Sequence, residues 1–307
     1  MQNTQTIGLT TGQAPFIEQA QNNQQLFIQQ PYPLYSKQNQ ETWVKLYKKI
    51  QPKWEKFACQ KFLQGVQKLG LGYQAIPKLQ EINEFLKPLS GFKAKAVSGY
   101  VPSYLFFNAL RTRNFPTTIT IRDGKQLDYL PEPDIFHDIA GHVPMHTDPV
   151  FSDVLVRFGE LARNAALDAN TIKDPKRKIK VMESRMKAMA RFFWFTIEFG
   201  LMRQGDTVKA YGSGLLSSAG ELEYCLTHKE VQKYPIQLQW VVNQSFEIDR
   251  YQSLLFIVDC FDHLYQLVDQ LEQSMIAGQL DNVAPGEPAI NEEDLASFLD
   301  AGSNDLD

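Results

Sequence analysis

The chain has 307 residues, of which 43% are hydrophobic and 21% charged, and its formal net charge is −4. This composition is ordinary for a globular protein, and the small negative charge provides no general nucleic-acid-binding surface. No apolar run approaches the length that crosses a bilayer, and the first basic residue is Lys37, so we expect neither a membrane protein nor a secretory signal. Three widely spaced cysteines form no disulfide framework, which predicts a cytoplasmic location.

The amino-terminal region is rich in glutamine. Residues 1–30 hold nine glutamines and one charged residue, which predicts a flexible polar lead-in over residues 1–31. From Glu41 the apolar residues recur at helical spacing, and Gly70 ends this pattern. A shorter helix is predicted to include Ile82–Leu86.

The middle of the chain changes pattern twice. Threonine and isoleucine alternate in FPTTITIRDG up to Arg122, which indicates a strand. Long helices are then predicted over residues 151–169 and 181–203, with NTIKDPKRKIK interrupting them. The chain is therefore predicted to be mainly α-helical, with a small β element.

The carboxy-terminal segment is acidic. From Ile276 onward it has eight acidic residues and no lysine or arginine, and Asn291 is placed to cap one short helix. We therefore predict one folded domain over residues 32–275 and an acidic tail over residues 276–307.

Three of the five histidines lie in PEPDIFHDIAGHVPMHTDP, at residues 131–149. His142 follows His137 by five residues, which on an ideal α-helix places it about 140° away. The two rings converge only if the helix bends or ends between them, and Gly141 permits either. We expect the helix to end there.

Other residues of this stretch frame the same helix. Asp134 is placed to cap a helix that begins at Ile135. Pro144 lies between His142 and His146 and interrupts the helical face, so we interpret His146 as structural or exposed.

His137 and His142 are candidate metal ligands, because imidazole binds iron, zinc and copper. The alternative is two ordinary polar histidines near a helix end. A further ligand is predicted in ARFFWFTIEFGLM, where Glu198 is the only acidic residue in an apolar run. A carboxylate there is costly to bury without a cation or an arginine, although most glutamates simply face water.

Two histidines and one carboxylate occur both in zinc hydrolases and in non-haem iron oxygenases. Zinc proteases usually carry H-E-x-x-H, and the stretch beginning at His137 departs from it in spacing and in the second residue. The types of ligand alone leave the metal open.

Four stretches together carry a resemblance to a known family. LDYLPEPDIFHDIAGHVP, at residues 127–144, resembles the signature of the tetrahydropterin-dependent aromatic amino acid hydroxylases, particularly the bacterial phenylalanine hydroxylases. FFWFTIEFGL and YGSGLLSSAGELEYCL resemble the next two blocks of that family in the same order, and YPLYSKQNQETWVKLY resembles the start of its catalytic domain. The resemblance covers about residues 32–270.

The resemblance implies a basket-like, mainly helical catalytic domain around one Fe(II), held by His137, His142 and Glu198. It implies tetrahydrobiopterin or a related tetrahydropterin as cofactor and O2 as co-substrate. The implied reaction is hydroxylation of the ring of L-phenylalanine to L-tyrosine. Tryptophan and tyrosine hydroxylation are the sibling alternatives, and a catalytically silent metal-binding or interaction protein is the alternative from another class. The apolar Phe246 and Ile248 fit phenylalanine better than tyrosine.

The resemblance also implies the other site residues. Arg122 would bind the carboxylate of the amino acid, Pro133 and Trp194 would pack on its ring, and Ser217 would order the substrate and the first histidine. The implied pterin-binding residues are Gly99, Val101, Phe106, whose ring would stack on the pterin, and Asp138.

The chain departs from the family pattern in three respects. Phe193 stands where many members have tyrosine, which we expect to tune the site rather than abolish it. The spacing from His142 to Glu198 is longer, and NTIKDPKRKIK is predicted to be a solvated loop or a helix extension. The long amino-terminal regulatory domain and a heptad-rich carboxy-terminal helix are missing, so we expect a monomer whose partners are small molecules.

Overall fold

The structure is a computed structural model, and it describes residues 8–12, 14, 26–125, 127–128 and 133–301. Much of the predicted polar lead-in, Pro131 and the end of the acidic tail lie outside the described residues. The chain divides into two compact units that alternate along the sequence: residues 1–101, 115–148 and 210–228 form the first, and residues 102–114, 149–209 and 229–307 form the second.

Helices make up most of the described residues. In chain order they are α1 (Lys37–Phe57), α2 (Gln60–Lys68), α3 (Leu79–Ser90), α4 (Ser103–Arg111), α5 (Pro149–Asn170), α6 (Pro175–Phe193), α7 (Ser213–Ser217), α8 (Ala219–Thr227), α9 (Leu238–Val241), α10 (Phe261–Ile276) and α11 (Glu292–Leu299). The strands are β1 (Lys93–Val97), β2 (Asn114–Thr118), β3 (Leu201–Gln204), β4 (Thr207–Ala210), β5 (Gln232–Pro235) and β6 (Leu254–Val258).

The first unit is built on α1, which begins with a reciprocal cap. The hydroxyl of Ser36 accepts a hydrogen bond from the Asn39 backbone N–H, and the Asn39 side chain accepts one from the Ser36 backbone N–H. The Asn39 side chain also accepts from the backbone N–H of Leu9 at 3.0 Å, so this part of the lead-in is docked. The aromatic core of the unit includes the fully buried side chains of Trp43, Trp54, Phe62, Phe92, Phe115 and Phe136.

The second unit combines long helices with a four-stranded sheet in the order β4-β3-β6-β5. The central strand β6 is parallel to both β3 and β5, with Leu201 opposite Ile257 and Tyr234 opposite Phe256. Four of the five residues of β6 are buried. This burial explains its uninterrupted apolar sequence LLFIV, because a strand in the middle of a parallel sheet is covered on both faces.

A buried arginine ties the segment after α10 to helix α6. The Arg191 guanidinium is fully buried and donates to the carbonyl oxygens of Val242, Ala284, Pro285, Gly286 and Glu287. Burial lowers the pKa of Arg191, which Glu287 partly opposes. Carbonyl oxygens therefore satisfy a buried cation and fix the path of the segment.

The fold class is confirmed, because the chain is mainly helical with small sheets. Three boundaries were predicted wrongly. The second long helix begins at Pro175 rather than at residue 181, and it ends at Phe193 rather than continuing to residue 203. Of the two alternatives predicted for NTIKDPKRKIK, the helix extension is the one present from Pro175 onward, and Asp174 caps it. The strand predicted to reach Arg122 ends at Thr118. Among the described residues, no helix combines the length and apolarity that spanning a membrane requires.

Candidate metal centre

His137 and His142 lie at the two ends of a π-helical turn, which we call the first π-helical turn (His137–His142). A π-helix bonds each backbone N–H to the carbonyl five residues earlier, and here the Val143 N–H donates to the Asp138 carbonyl at 3.2 Å. Residues five apart therefore share one face. The expectation that the helix ends at Gly141 is wrong: the helix widens instead, and the widening brings the two rings together.

Gly141 has a packing role within this turn. A Cβ atom at this position would lie 2.8 Å from the Ser213 carbonyl oxygen and 3.2 Å from the Ser217 Cβ. The first distance is too short for a real side chain, so the absence of a side chain lets α7 approach the turn. Helix α7 supplies the two serines that contact the histidines.

The two imidazoles point their Nε2 atoms at each other, 3.1 Å apart. Two nitrogens at right angles on one cation, each about 2.1 Å from it, lie about 3.0 Å apart, whereas a tetrahedral angle would separate them by about 3.4 Å. The observed separation suits two rings that share a proton, and it suits two neighbouring ligands of an octahedral ion. The two Nε2 atoms are therefore close enough together to bind one metal ion.

Ser217 determines which nitrogen of His137 carries the proton. Its hydroxyl donates to the Ser213 carbonyl at 2.8 Å, and its oxygen lies 2.8 Å from Nδ1 of His137. A hydroxyl proton directed at the Ser213 carbonyl leaves the Ser217 oxygen to accept from Nδ1–H of His137, the tautomer that a metal ion at Nε2 requires. The lone pair of His137 therefore lies on Nε2, which faces His142. Such partners orient metal-binding imidazoles.

Asp138 joins the two histidines in a cluster. Ligand atoms of His137, Asp138 and His142 all lie within 4.8 Å of one another. The Asp138 carboxylate therefore lies beside the two imidazoles. Its oxygen accepts from the Thr118 backbone N–H at 2.6 Å. Burial raises the pKa of Asp138 to about 7, although His142 and Thr118 oppose the rise.

His146 is fully buried and packs on aromatic rings. Its ring centroid lies 4.7 Å from that of Phe115 and 5.2 Å from that of Phe92. Burial, followed by the neighbouring His142, lowers the pKa of His146 well below the usual value. Of the two predicted alternatives for His146, a structural role therefore agrees with its buried position, and an exposed position is excluded.

Arg122 is buried and forms a two-pronged ion pair with Asp134. Nε and Nη2 of Arg122 donate to the two carboxylate oxygens at 2.8 and 2.9 Å, and Nη1 donates to the Asp128 carbonyl. Burial alone would raise the pKa of Asp134, but Arg122 outweighs it and the net pKa is lowered. Burial would likewise lower the pKa of Arg122, yet Asp134 makes the net change a rise.

Asp134 also caps the short helical segment that begins at Ile135 and leads into the first π-helical turn, as the sequence predicted. Its carboxylate accepts from the His137 backbone N–H at 2.9 Å. One side chain therefore caps the helix that carries His137 and holds the guanidinium of Arg122. Sequence reasoning found only the first role, because nothing local connects residues twelve positions apart in an irregular segment.

Trp194 and Glu198 belong to the second unit, where they are the first and last residues of a second π-helical turn (Trp194–Glu198). The Phe199 backbone N–H donates to the Trp194 carbonyl at 2.8 Å, which closes the wide turn. Glu198 is half-buried. The Trp194 ring stacks on Phe246 with a centroid distance of 4.1 Å and an interplanar angle of 6°.

The remaining predicted residues lie in both units. Phe106 is half-buried on α4 in the second unit, where its ring packs edge-on against Phe193 at 5.7 Å. In the first unit, Gly99 has a φ of 153°, which favours glycine, and Val101 is half-buried. Pro133 is exposed.

Sequence reasoning missed two contacts of His142. The Ser213 hydroxyl oxygen lies 2.9 Å from its Nε2, and the Phe115 ring packs on it with a centroid distance of 4.9 Å. A serine four residues before Ser217 on a short helix was the available signal, because residues four apart share a helical face.

Comparisons with known proteins agree with this geometry. The profile of a family described as biopterin-dependent aromatic amino acid hydroxylase matches residues 16–277. The chain is 33% identical over 282 residues to phenylalanine-4-hydroxylase of Chromobacterium violaceum, covering 89% of each protein. It is 35% identical over 240 residues to phenylalanine-4-hydroxylase of Caulobacter vibrioides, covering 78% of this chain and 76% of that protein.

Solved structures give the same result. The Chromobacterium violaceum phenylalanine hydroxylase with bound oxidised Fe(III) superposes with a TM-score of 0.75 at 32% identity, covering 86% of this chain and 91% of that one. Its form with iron(III) and oxidised 7,8-dihydrobiopterin superposes with a TM-score of 0.74 at 32% identity, covering 87% and 91%. The chain belongs to the biopterin-dependent aromatic amino acid hydroxylase family, and the predicted family is confirmed.

Proposed function

We propose that the protein is a non-haem Fe(II), tetrahydropterin-dependent monooxygenase that hydroxylates L-phenylalanine to L-tyrosine with O2. The observation that carries the proposal is the facing pair of imidazoles on one π-helical turn in a chain of this family. Relatives named phenylalanine-4-hydroxylase indicate the substrate, and a structure with iron(III) and 7,8-dihydrobiopterin indicates the cofactors. When bound, iron and the tetrahydropterin supply the activation of O2.

His137, His142 and Glu198 are the proposed iron ligands. The separation of the two Nε2 atoms supports the histidines. Glu198 is supported by its position at the end of a π-helical turn, as the only acidic residue of an apolar run. Two imidazoles and one carboxylate leave coordination positions open for oxygen and co-substrate, as in other non-haem iron oxygenases.

Arg122 is proposed to bind the carboxylate of the substrate. A guanidinium has five N–H donors, and Asp134 and the Asp128 carbonyl occupy three of them. The two remaining donors lie on Nη1 and Nη2, which suits bidentate binding of a carboxylate. Asp134 fixes the plane of the guanidinium before substrate binds.

The ring of the substrate is proposed to pack on Trp194 and Pro133. The stack of Trp194 on Phe246 provides a rigid aromatic surface, and Trp194 Nε1 donates to the Gln252 side chain at 3.1 Å, which fixes its orientation. Ser217 is proposed to order His137 and the substrate, supported by its bond to Nδ1 of His137.

The pterin is proposed to stack on Phe106 and to contact Gly99, Val101 and Asp138. Phe106 is half-buried, and its ring packs edge-on against Phe193, which supports its orientation. Asp138 is buried and its pKa is raised by that burial, so it is suited to exchange a proton or a hydrogen bond with a neighbouring heterocycle.

A product assay by mass spectrometry tests the proposal. Purified protein is mixed with Fe(II), O2, tetrahydrobiopterin and equal amounts of isotopically labelled phenylalanine, tryptophan and tyrosine. Tyrosine formed fastest from labelled phenylalanine, and only with both iron and pterin, is the expected result. Dominant hydroxytryptophan or dihydroxyphenylalanine would reassign the substrate within the family. Iron binding without any hydroxylation would favour a catalytically silent protein.

We also propose a cytoplasmic monomer. Cys59 and Cys225 are buried free thiols and Cys260 is an exposed one, which suits a reducing compartment. Multi-angle light scattering is expected to give a mass near 35.1 kDa. A tetramer, or a sigmoidal dependence of rate on phenylalanine concentration, would contradict the monomer.

A further inference from the structure

Helix α11 lies beyond the family match yet contacts a helix inside it. The match ends at residue 277, whereas α11 spans Glu292–Leu299. One carboxylate oxygen of Asp294 accepts from the backbone N–H of Ser103 at 2.8 Å and from its hydroxyl at 2.6 Å. The Phe298 ring packs on Tyr104 with a centroid distance of 5.1 Å. Both Asp294 and Phe298 are buried.

These contacts supply what the start of α4 lacks. Its N-cap residue is Pro102, whose side chain has no acceptor for the first N–H groups of the helix. Asp294, which lies 191 positions away along the chain, provides that acceptor. Its negative charge also lies at the positive end of the α4 dipole, where a carboxylate is stabilising.

Helix α11 is itself held in place at both ends. Asn291 caps it by accepting from the Asp294 backbone N–H at 2.7 Å. At the other end, the Asn170 side chain donates to the Leu299 carbonyl at 3.4 Å. The carbonyls bound by Arg191 fix the segment that leads into it. Helix α11 is therefore packed against the rest of the second unit and fixed at both of its ends.

The first turn of α4 leads directly to Phe106, the residue proposed to stack on the pterin. Phe106 lies one turn after Ser103, and its N–H donates to the Pro102 carbonyl as the first bond of the helix. Fixing Ser103 therefore fixes the backbone that carries the Phe106 ring.

We propose that Asp294 is a positioning residue for the pterin: through Ser103 it holds the first turn of α4, and so the ring of Phe106, in the conformation that binds the cofactor. This inference rests on the proposed function, because it assigns Phe106 to the pterin. A carboxylate that only stabilised the fold would leave pterin affinity unchanged in a folded variant.

Titration calorimetry with 7,8-dihydrobiopterin tests the inference directly. Asp294→Ala is expected to raise the dissociation constant about three- to tenfold, which corresponds to the loss of one helix cap. Asp294→Asn keeps an acceptor oxygen and is expected to stay within about twofold of the wild type. Glu293→Ala removes an exposed carboxylate from the same turn and is the matched control, with unchanged affinity expected.

Steady-state kinetics and thermal unfolding separate positioning from stability. In Asp294→Ala the KM for tetrahydrobiopterin should rise with the dissociation constant, while the KM for phenylalanine stays constant. An unchanged dissociation constant in folded Asp294→Ala, with only a lower Tm, would overturn the inference. If Asp294→Ala does not fold, Asp294→Glu, which displaces the carboxylate from Ser103 by one methylene, is measured instead, and a dissociation constant equal to that of the wild type would overturn the inference.

Phe106→Ala distinguishes a failure of the proposed function from a failure of the positioning role of Asp294. Wild type that neither binds 7,8-dihydrobiopterin nor hydroxylates any aromatic amino acid would overturn the proposed function itself. Wild-type binding that is lost in Phe106→Ala and weakened in Asp294→Ala supports both the function and the positioning role. Binding lost in Phe106→Ala but unchanged in Asp294→Ala would overturn only the positioning role.

Discussion

The two π-helical turns have the same backbone form but are stabilised by different forces. The first turn, His137–His142, is bound by polar side chains: Asp134 accepts from the backbone N–H of its first residue, and Ser217 bonds to the His137 ring. The second turn, Trp194–Glu198, is surrounded by aromatic rings, with Trp194 against Phe246 and Phe195 edge-on to Phe256. Single hydrogen bonds therefore govern the geometry of the first turn, whereas packing governs that of the second.

The largest effect is expected from Glu198→Ala in the second turn. Alanine is a good helix former, so the turn should persist while the proposed carboxylate ligand is lost. We expect bound iron, measured by plasma mass spectrometry, to fall from about one per chain to background, and hydroxylation to cease. Glu183→Ala on α6 is the matched control and should keep its iron. Iron retained by Glu198→Ala would show that another group is the third ligand.

Asp134→Ala should cause the largest loss of stability in the first turn. It leaves the Arg122 cation buried without its partner and removes the cap of the turn, which together cost about 3–5 kcal/mol in denaturant unfolding. Asp128→Ala removes an exposed carboxylate paired with Lys49 and should change the free energy of unfolding by less than about 1 kcal/mol. Equal losses in the two variants would contradict a structural role for the buried pair.

The same pair predicts a dependence of stability on pH. Folding lowers the pKa of Asp134, so its stabilising contribution is complete above the unfolded value of about 3.9 and is lost as pH falls through the lower folded value. The difference in unfolding free energy between wild type and Asp134→Ala should therefore be constant near neutrality and shrink in acid. A difference that grows as the pH is lowered below 4 would contradict this assignment.

Ser217→Ala should weaken iron binding without abolishing it. The variant frees Nδ1 of His137 and with it the choice of tautomer, and loss of such a partner typically costs about 10–100-fold in metal affinity. Competition with a chelator measures the change. Ser218→Ala, at the neighbouring buried serine, is the control and should have the affinity of the wild type. If the two variants hold iron equally well, the Ser217 bond does not orient His137.

The sequence indicated candidate ligand positions, but it did not indicate the geometry that brings the two histidines of the first turn together. His137, His142 and Glu198 stand in continuous motifs, so they could be named without knowledge of long-range contacts. The widening of the first turn could not, because the apolar pattern carries no sign of it and the serines of α7 that contact its histidines lie more than seventy residues along the chain. The Arg122–Asp134 pair was missed for the same reason.

The helix boundaries likewise include some that the local sequence predicts and others that it does not. The start of α6 was predictable from Asp174 followed by Pro175, a cap followed by proline at the first helical position, although the prediction left a loop and a helix extension as alternatives there. Its end at Phe193 was not, because a change to a π-helical turn leaves no break in the apolar pattern. The cap of α11 at Asn291 was predicted correctly, whereas its docking on α4 is a tertiary contact.

Trp194→Phe should have the smallest effect, and it tests whether packing alone governs the second turn. Phenylalanine preserves an aromatic face toward Phe246 but loses the hydrogen bond to Gln252 and part of the stack. A loss of about 0.5 kcal/mol corresponds to a KM for phenylalanine about two- to threefold higher, with iron content unchanged.

Trp240→Phe is the control for that substitution, because Trp240 also packs on an aromatic residue of the second unit, Phe256. It should lower the Tm without changing the KM. If Trp194→Phe instead lost iron, the orientation of Glu198 would depend on the Trp194 hydrogen bond, and the second turn would be governed by single polar contacts like the first.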